Sequence, residues 1–199
     1  MQLEPIQDSG TQDRRVRRSR SALMAAAVRL VSERGTTDIA VTDLAEAADV
    51  SRRLVYLQFG DRDTLLTEAA IDLVRRELLP QAGDASEGAA AMARHFAEHR
   101  AFYRPMLTGS CAFAMTRTLN TLFSSLNRTS LRELFGDLDQ GTADDLSEFV
   151  AGGAATLVHN WVIDGPDTLD PEELTNRLLR LASALTFSRR ATTDGDRAR

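Results

Sequence analysis

The sequence predicts an all-α protein, and three observations carry that prediction. Apolar residues recur every three to four positions through most of the 199 residues, the spacing of helices with one buried face. Leucine and alanine dominate the apolar set and favour helix, whereas β-branched runs are scarce. Only five prolines interrupt the chain. No strand signal of any strength appears, and no internal repeat. About nine helices are expected: an N-terminal three-helix unit, a connecting helix and a larger helical domain.

Residues Met1 to Asp13 are polar without a period and read as a disordered tail. From Ser21 the pattern turns helical, with Leu23, Ala27, Leu30 and Val31 on one face and Gly35 as a stop. Val41, Leu44, Ala45 and Ala48 repeat that spacing over one short helix. Val50 and Ser51 form a tight turn, and Ser51 is a good N-cap for a third helix, Arg52 to Phe59. Gly60 breaks it. A longer helix from Asp61 to Leu79 buries Leu65, Leu66, Ala69, Leu73 and Val74, with Ala70 or Ile71, and ends before Pro80. Gln81–Gly88 reads as a loop. Helices then follow at Glu87–His99, Phe102–Leu107, Ala112–Phe135, Asp144–Ile163 and Pro171–Phe187. The last starts with Asp170 as N-cap, Pro171 at N1 and Glu173 at N3. The tail from Arg189 reads as frayed. The domain bounds are 1–13 for the first tail, 14–62 for the three-helix unit with its connecting helix 61–79, 80–188 for the helical domain and 189–199 for the second tail.

Composition narrows the function. An apolar fraction of 43% is enough for a core, and 6% aromatics means that Leu, Ala and Val build most of it. No stretch of about 20 apolar residues is present to span a membrane, and the N-terminus lacks the apolar core of a signal peptide. One cysteine, Cys111, cannot form an internal disulfide, which fits a reducing cytoplasm. All 24 basic residues are arginine, a bias expected of a GC-rich bacterial genome. The net charge of −5 argues against a general polyanion binder, but the charge is uneven. Residues 1–62 hold ten arginines against nine acids, and the remainder fourteen against twenty. Arg14 to Arg20 holds five arginines and no acid. Local density is what a phosphate feels within a Debye length. This run reads either as a solvated tail or as a basic arm along DNA through residues such as Arg17 and Arg18.

Two short helices joined by a tight turn, with a third before them, make a helix-turn-helix unit. Its second helix needs apolar residues on its buried side, supplied by Val55 and Phe59, and donors on its exposed side. Arg52 and Arg53 lie at the N-terminal end, where arginine donates bidentately to guanine and the helix terminus favours phosphate. Tyr56 can offer its hydroxyl to a phosphate, Gln58 its amide to a base, and Arg62 a further phosphate contact. Thr42, Ser51, Leu54 and Leu57 complete the predicted DNA-facing set. The alternative is an ordinary solvated helix face.

The stretch "VTDLAEAADVSRRLVYLQFGDRDTLL", Val41–Leu66, resembles the DNA-binding domain of TetR-family transcriptional regulators. The family pattern is matched at Ala45, Ala48, Val50, Ser51, Tyr56, Phe59 and Leu65, with Leu44 and Val55 as conservative changes. The resemblance covers about a quarter of the chain. Departures are instructive. Ala40 stands where the family has a threonine cap, which forgoes about 1 kcal/mol unless Asp38 or a nearby threonine compensates. Asp49 replaces the turn glycine and tolerates positive φ better than most residues. Arg53 replaces a small glycine, Leu54, Leu57 and Gln58 are unusual, and Arg62 keeps the charge of a lysine. The scaffold is ordinary and the base-reading surface is not.

The resemblance implies a homodimeric regulator, a repressor released from a palindromic operator by a small molecule, with no enzymatic activity and no cofactor. Its partners would be double-stranded DNA, an effector of unknown identity and a second copy of itself, with no membrane. The effector pocket needs apolar and soft side chains, and Met92, Phe96, Phe102, Tyr103, Met106, Cys111, Phe113, Met115, Leu119, Phe123 and Trp161 are the candidates; the alternative is that they are core. The resemblance places the dimer seam on the last two helices, with Gly152, Gly153, Leu157, Leu174, Leu178, Leu181 and Leu185; the alternative is that these residues form an intramolecular core.

A rival lies in His95-Phe96-Ala97-Glu98-His99. H-x-x-E-H sets two imidazoles one turn apart, as an inverted zinc-protease motif does. A catalytic zinc needs a third ligand and an open position, and the only other histidine is His159. A metal-responsive protein, a zinc hydrolase using His95, Glu98 and His99, or an adaptor without DNA binding are the alternatives. The metal-responsive reading adds Cys111 as a possible partner. No phosphate loop, serine triad or cofactor fingerprint is present.

Overall fold

The computed structural model describes residues 9–78, 84–135 and 139–196. Among them are nine α-helices: α1 (Ser9–Arg34), α2 (Val41–Ala47), α3 (Arg52–Phe59), α4 (Arg62–Glu77), α5 (Ala85–Glu98), α6 (Arg100–Thr108), α7 (Ala112–Phe135), α8 (Gln140–Asp164) and α9 (Pro171–Asp196). The expected all-α class and its helix order are present.

The N-terminal unit forms because three amphipathic faces converge. Leu23, Ala27, Leu30 and Val31 of α1 are buried against α4, whose Leu65, Leu66, Ala69 and Ala70 are fully enclosed. Leu44 and Ala45 of α2 and Val55 and Phe59 of α3 close the third side. Gly35, at φ 63°, ends α1 with its N–H on the Val31 carbonyl at 2.9 Å. Asp49, at φ 53°, makes the turn between α2 and α3. Ala40 leaves α2 without a side-chain cap. Asp38 does not compensate, because it is engaged with Arg62.

In the C-terminal part α7 lies along α8, α9 lies along α5, and α6 bridges α1, α7 and α8. Phe96, Phe102, Tyr103, Met106, Met115 and Leu119 fill the space between them and are continuous with the N-terminal core. Arg100 caps the C-terminal end of α8. Its Nε donates to the Val162 carbonyl at 2.9 Å and its Nη2 to that of Gly165 at 2.7 Å. Its Nη1 donates to Pro166 and, at 3.0 Å, to Asp167. These carbonyls have no helical partner of their own, and a guanidinium is a fit match for several at once.

The two parts also meet through Thr37. Its Oγ1 accepts the Ser110 N–H at 3.3 Å, and a Cβ on Gly109 would stand 2.3 Å from that oxygen. The loop after α1 therefore presses on the α6–α7 corner where only glycine leaves room.

Element bounds differ from expectation at four places. α1 begins at Ser9, so the basic run lies in a helix rather than a tail; Arg17 pairs with Asp13 one turn back at 3.1 Å, which supports it. α5 begins at Ala85, because the Asp84 carboxylate accepts the N–H groups of Ser86 and Glu87. α8 begins at Gln140, capped by Asp139. α9 continues to Asp196, past the frayed end expected from Arg189. The Asp170 cap is present, its Oδ1 accepting the Glu172 N–H at 2.9 Å. Residues 1–8, the stop before Pro80 and part of the expected Gln81–Gly88 loop lie outside the described residues.

Arg100→Ala should lower stability by about 1–3 kcal/mol, the range for losing charge-assisted hydrogen bonds to buried carbonyls. A urea titration with an unchanged m-value and a lower midpoint is the expected result.

Candidate nucleic-acid interface

α3 is aimed by contacts at both ends. Ser51 Oγ accepts the Leu54 N–H at 3.3 Å, the predicted N-cap. Gly60, at φ 79°, ends the helix with its N–H on the Tyr56 carbonyl. Val55 and Phe59 anchor it in the core. Arg20 of α1 fixes its orientation: Nη1 donates to the Gln58 carbonyl at 3.0 Å, Nη2 pairs with Glu68 at 2.8 Å, and the guanidinium lies 4.3 Å from the Phe59 ring centre. Sequence reasoning counted Arg20 only as part of a basic run. A usable signal was present, since Arg20 falls three and seven residues before the buried Leu23 and Ala27 and so shares their face.

The outward face of α3 presents Arg52, Arg53, Tyr56 and Leu57, the last 78% exposed. Arg52 and Arg53 enter no ion pair among the described residues. Two unneutralised guanidinium groups thus stand beside a helix N-terminus whose own N–H groups point outward. Tyr56 is half exposed, on an apolar floor of Ile39, Ala40 and Val41. Thr42 is exposed and its hydroxyl lies on Asp43 at 3.3 Å. Leu54 is half-buried, and Arg17 and Arg18 are exposed on α1.

Two predicted contacts are corrected. The Gln58 amide turns inward and donates to Ser19 Oγ at 2.9 Å, because the α1-facing side of α3 carries it. Arg62 is only part exposed and held by two carboxylates, Asp63 at 2.9 Å and Asp38 at 2.7 Å. The Asp63 hydrogen bond, with that to Asp38, outweighs burial and raises the guanidinium above its ordinary value. It ties α4 to the loop before α2 instead of standing free for a phosphate.

The effector candidates separate into groups. Phe96, Phe102, Tyr103, Met106, Met115, Leu119, Phe123 and Trp161 are buried, and Met92 is half-buried. Phe96 and Tyr103 have ring centres 4.5 Å apart, and Phe96 and Phe123 6.1 Å. Phe113 is 76% exposed and takes no part; it lies on the outer side of α7. Cys111 is also apart, with Sγ 3.9 Å from the Asp63 carbonyl at the start of α4. Burial, then the nearby Asp63, pushes its thiol up. Two buried polar atoms in this half, Asn120 Oδ1 on α7 and Trp161 Nε1 on α8, have no hydrogen-bond partner among the described residues.

Of the seam candidates, Leu174 is in the core, Leu178 packs partly against it, and Leu157 and Gly152 are half-buried. Gly153, Leu181 and Leu185 are exposed. Sequence reasoning missed Phe149, 71% exposed and one turn before Gly153 on α8.

The histidine motif is rearranged. His95 Nδ1 and His99 Nε2 both meet Glu77 Oε2 of α4, at 2.7 and 2.8 Å. His95 Nε2 meets the Tyr103 hydroxyl at 2.8 Å. Glu98 is exposed and outside this cluster. Cys111 is outside it too, at the other end of α4, so neither completes a site in the way the sequence suggested. Burial pushes Glu77 up, but hydrogen bonds from the two histidines outweigh it and hold the carboxyl below its usual value. Burial also lowers His95, against the pull of Glu77. A neutral ring that gives Nδ1–H to Glu77 leaves Nε2 to accept from Tyr103.

A capped helix with two exposed arginines at its N-terminus is set on a helix-turn-helix and backed by a helical domain. Residues 23–69 match the family described as bacterial regulatory proteins, tetR family. Residues 23–69, which hold α2, α3 and parts of α1 and α4, are thus similar to the DNA-binding domain of that family. Solved structures share the whole fold. The dihydroxyacetone kinase operon activator DhaS has a TM-score of 0.64 at 15% identity, over 84% of this chain and 96% of that one. A tetR-family transcriptional regulator from Streptomyces coelicolor gives 0.60 at 19%, over 89% and 84%. Thermus thermophilus FadR, a TetR-family repressor in complex with lauroyl-CoA, gives 0.57 at 22%, over 82% and 92%. No curated protein sequence matches the chain. Among the described residues no helix is long and apolar enough to cross a membrane.

Asp61 caps α4, its Oδ1 accepting the Thr64 N–H at 2.7 Å, and that backbone hydrogen bond holds its carboxyl below the ordinary value. Its folded pKa is depressed, so this stabilisation is complete above the unfolded value of about 3.9 and is lost as pH falls through the folded one. Asp61→Asn keeps the acceptor and removes the titration. Its acid-unfolding limb should be shallower than that of the wild type when stability is measured between pH 5 and pH 2.

Proposed function

We propose that the chain is a homodimeric one-component repressor, resident in the cytoplasm, that reads a palindromic operator through α3 and is released by a small-molecule effector. The observation that carries this reading is the outward face of α3, where Arg52, Arg53, Tyr56 and Leu57 stand free on a rigidly anchored helix. In a major groove the two arginines reach base edges and the Tyr56 hydroxyl reaches a phosphate. Thr42 of α2 and Arg17 and Arg18 of α1 add contacts to the backbone, and their charge makes binding salt-dependent.

Dimerisation is supported by exposed apolar side chains at the expected seam. Phe149 on α8 and Leu181 and Leu185 on α9 are left in water in the single chain, and Gly153 allows close approach. A twofold pair places two α3 helices on half-sites about one DNA turn apart. An effector in the C-terminal half is supported by the buried, unpartnered Asn120 Oδ1 and Trp161 Nε1, which a polar group among the surrounding aromatics would satisfy. The lauroyl-CoA in the Thermus thermophilus FadR structure shows that this fold accommodates an acyl ligand in that protein. An effector shifts DNA affinity only by its differential affinity for two arrangements of α4, typically about 1–3 kcal/mol.

Selection from random duplex DNA with the purified chain tests the reading. An enriched palindrome with two half-sites is the expected result, and no enrichment at moderate salt would overturn it. In the same selection Arg53→Ala should relax preference at one base position in each half-site. An unchanged motif would remove Arg53 from base reading. Tyr56→Phe should weaken binding by a similar factor across sequences, as loss of a phosphate anchor does.

A further inference from the structure

We propose that Glu77, His95 and His99 form a binding site for a divalent transition-metal ion, zinc in the first instance, that ties the end of α4 to α5. One carboxylate oxygen and two imidazole nitrogens converge there, and the candidate ligand atoms lie within 4.8 Å of one another. His95 on α5, His99 at its C-cap four residues on, and an acid from α4 form a two-histidine, one-carboxylate set, which suits zinc with a fourth position left to water. The present contacts of 2.7 and 2.8 Å are hydrogen bonds between the same atoms. Opening them to the roughly 3.3 Å between ligands of a tetrahedral zinc needs a shift of about half an ångström per pair.

The surroundings suit the ion. His95 is enclosed and fixed from behind by Tyr103, whereas Glu77 and His99 are part exposed, which gives an entry path and an open side. On metal binding His95 offers the Nδ1 that now faces Glu77, with a proton left on Nε2, and His99 offers Nε2. His95 then donates Nε2–H to the Tyr103 oxygen, the outer hydrogen bond that orients ligating histidines. The ion exchanges water for three protein ligands.

The place of the site gives it a regulatory sense, which rests on the proposed DNA-binding function. α4 starts three residues after α3 ends and carries Glu77 at its last position, about 22 Å along the helix axis from Arg62. An ion there holds the far end of the helix that positions α3.

Metal-free protein would be titrated with Co²⁺ without DNA, following the visible absorption of tetrahedral cobalt, and then back-titrated with Zn²⁺. One Co²⁺ per chain, displaced by Zn²⁺, is expected in the wild type and in Glu98→Gln. At least tenfold weaker uptake is expected in Glu77→Gln and His99→Ala, both checked for an unchanged helical circular-dichroism spectrum. No saturable uptake by the wild type, or equal uptake by the two ligand variants, overturns the site; the three residues are then a hydrogen-bonded clamp. DNA affinity on a selected sequence should differ about 5–150-fold between metal-free and zinc-loaded protein. Equal affinities overturn the regulatory sense. Metal uptake with no DNA enrichment would leave the site standing and sink the DNA-binding reading alone.

Discussion

The structure depends on the double burial of α4. Its Leu65, Leu66, Ala69 and Ala70 are closed over by α1, while Leu73, Val74 and Leu78 continue into the C-terminal core. A leucine or valine so placed stabilises the fold by about 1.5–3 kcal/mol. These side chains are packed at crystal-like density, so α4 cannot tilt at one end without disturbing the other. The N-terminal unit is small, and its three short faces have little else to close on.

Polar contacts convert that shared core into orientation. Arg20 joins the Gln58 carbonyl of α3 to Glu68 of α4, Arg62 holds the loop before α2, and Thr37 meets the corner of α6 and α7. Each joins residues far apart in sequence. The partly exposed ion pairs among them add little stability, since solvent screens them. Their effect is geometric: they choose one arrangement among those the apolar faces would permit.

Local rules made most of the fold legible. Gly35, Ser51, Gly60 and Asp170 mark termini by side-chain and backbone chemistry that acts over four residues, and each lies where the sequence placed it. The caps Asp84 and Asp139 were equally local and were overlooked, which shifted two helix starts. The site was legible only in part. Arg52, Arg53 and Tyr56 were readable because a helix period fixes which residues face away from Val55 and Phe59. Gln58 and Arg62 were misread because Ser19 lies 39 residues from the one and Asp38 24 residues from the other, while the adjacent Asp63, Arg62's second partner, was overlooked. Glu77 was invisible for the same reason: H-x-x-E-H offers its own glutamate, and only tertiary packing brings a different one to the two rings.

Leu57 carries a final consequence. A leucine held in water on α3 forgoes most of the transfer free energy that burial would supply, and no described residue covers it. The major groove is hydrophilic along both backbones and at most base edges, and its apolar landmark is the C5-methyl of thymine. On the proposed reading, a surface that pairs an unburied leucine with two guanidinium groups would sense methyl groups as well as hydrogen-bond acceptors, and replacing thymine by uracil in a duplex removes the one without altering the other.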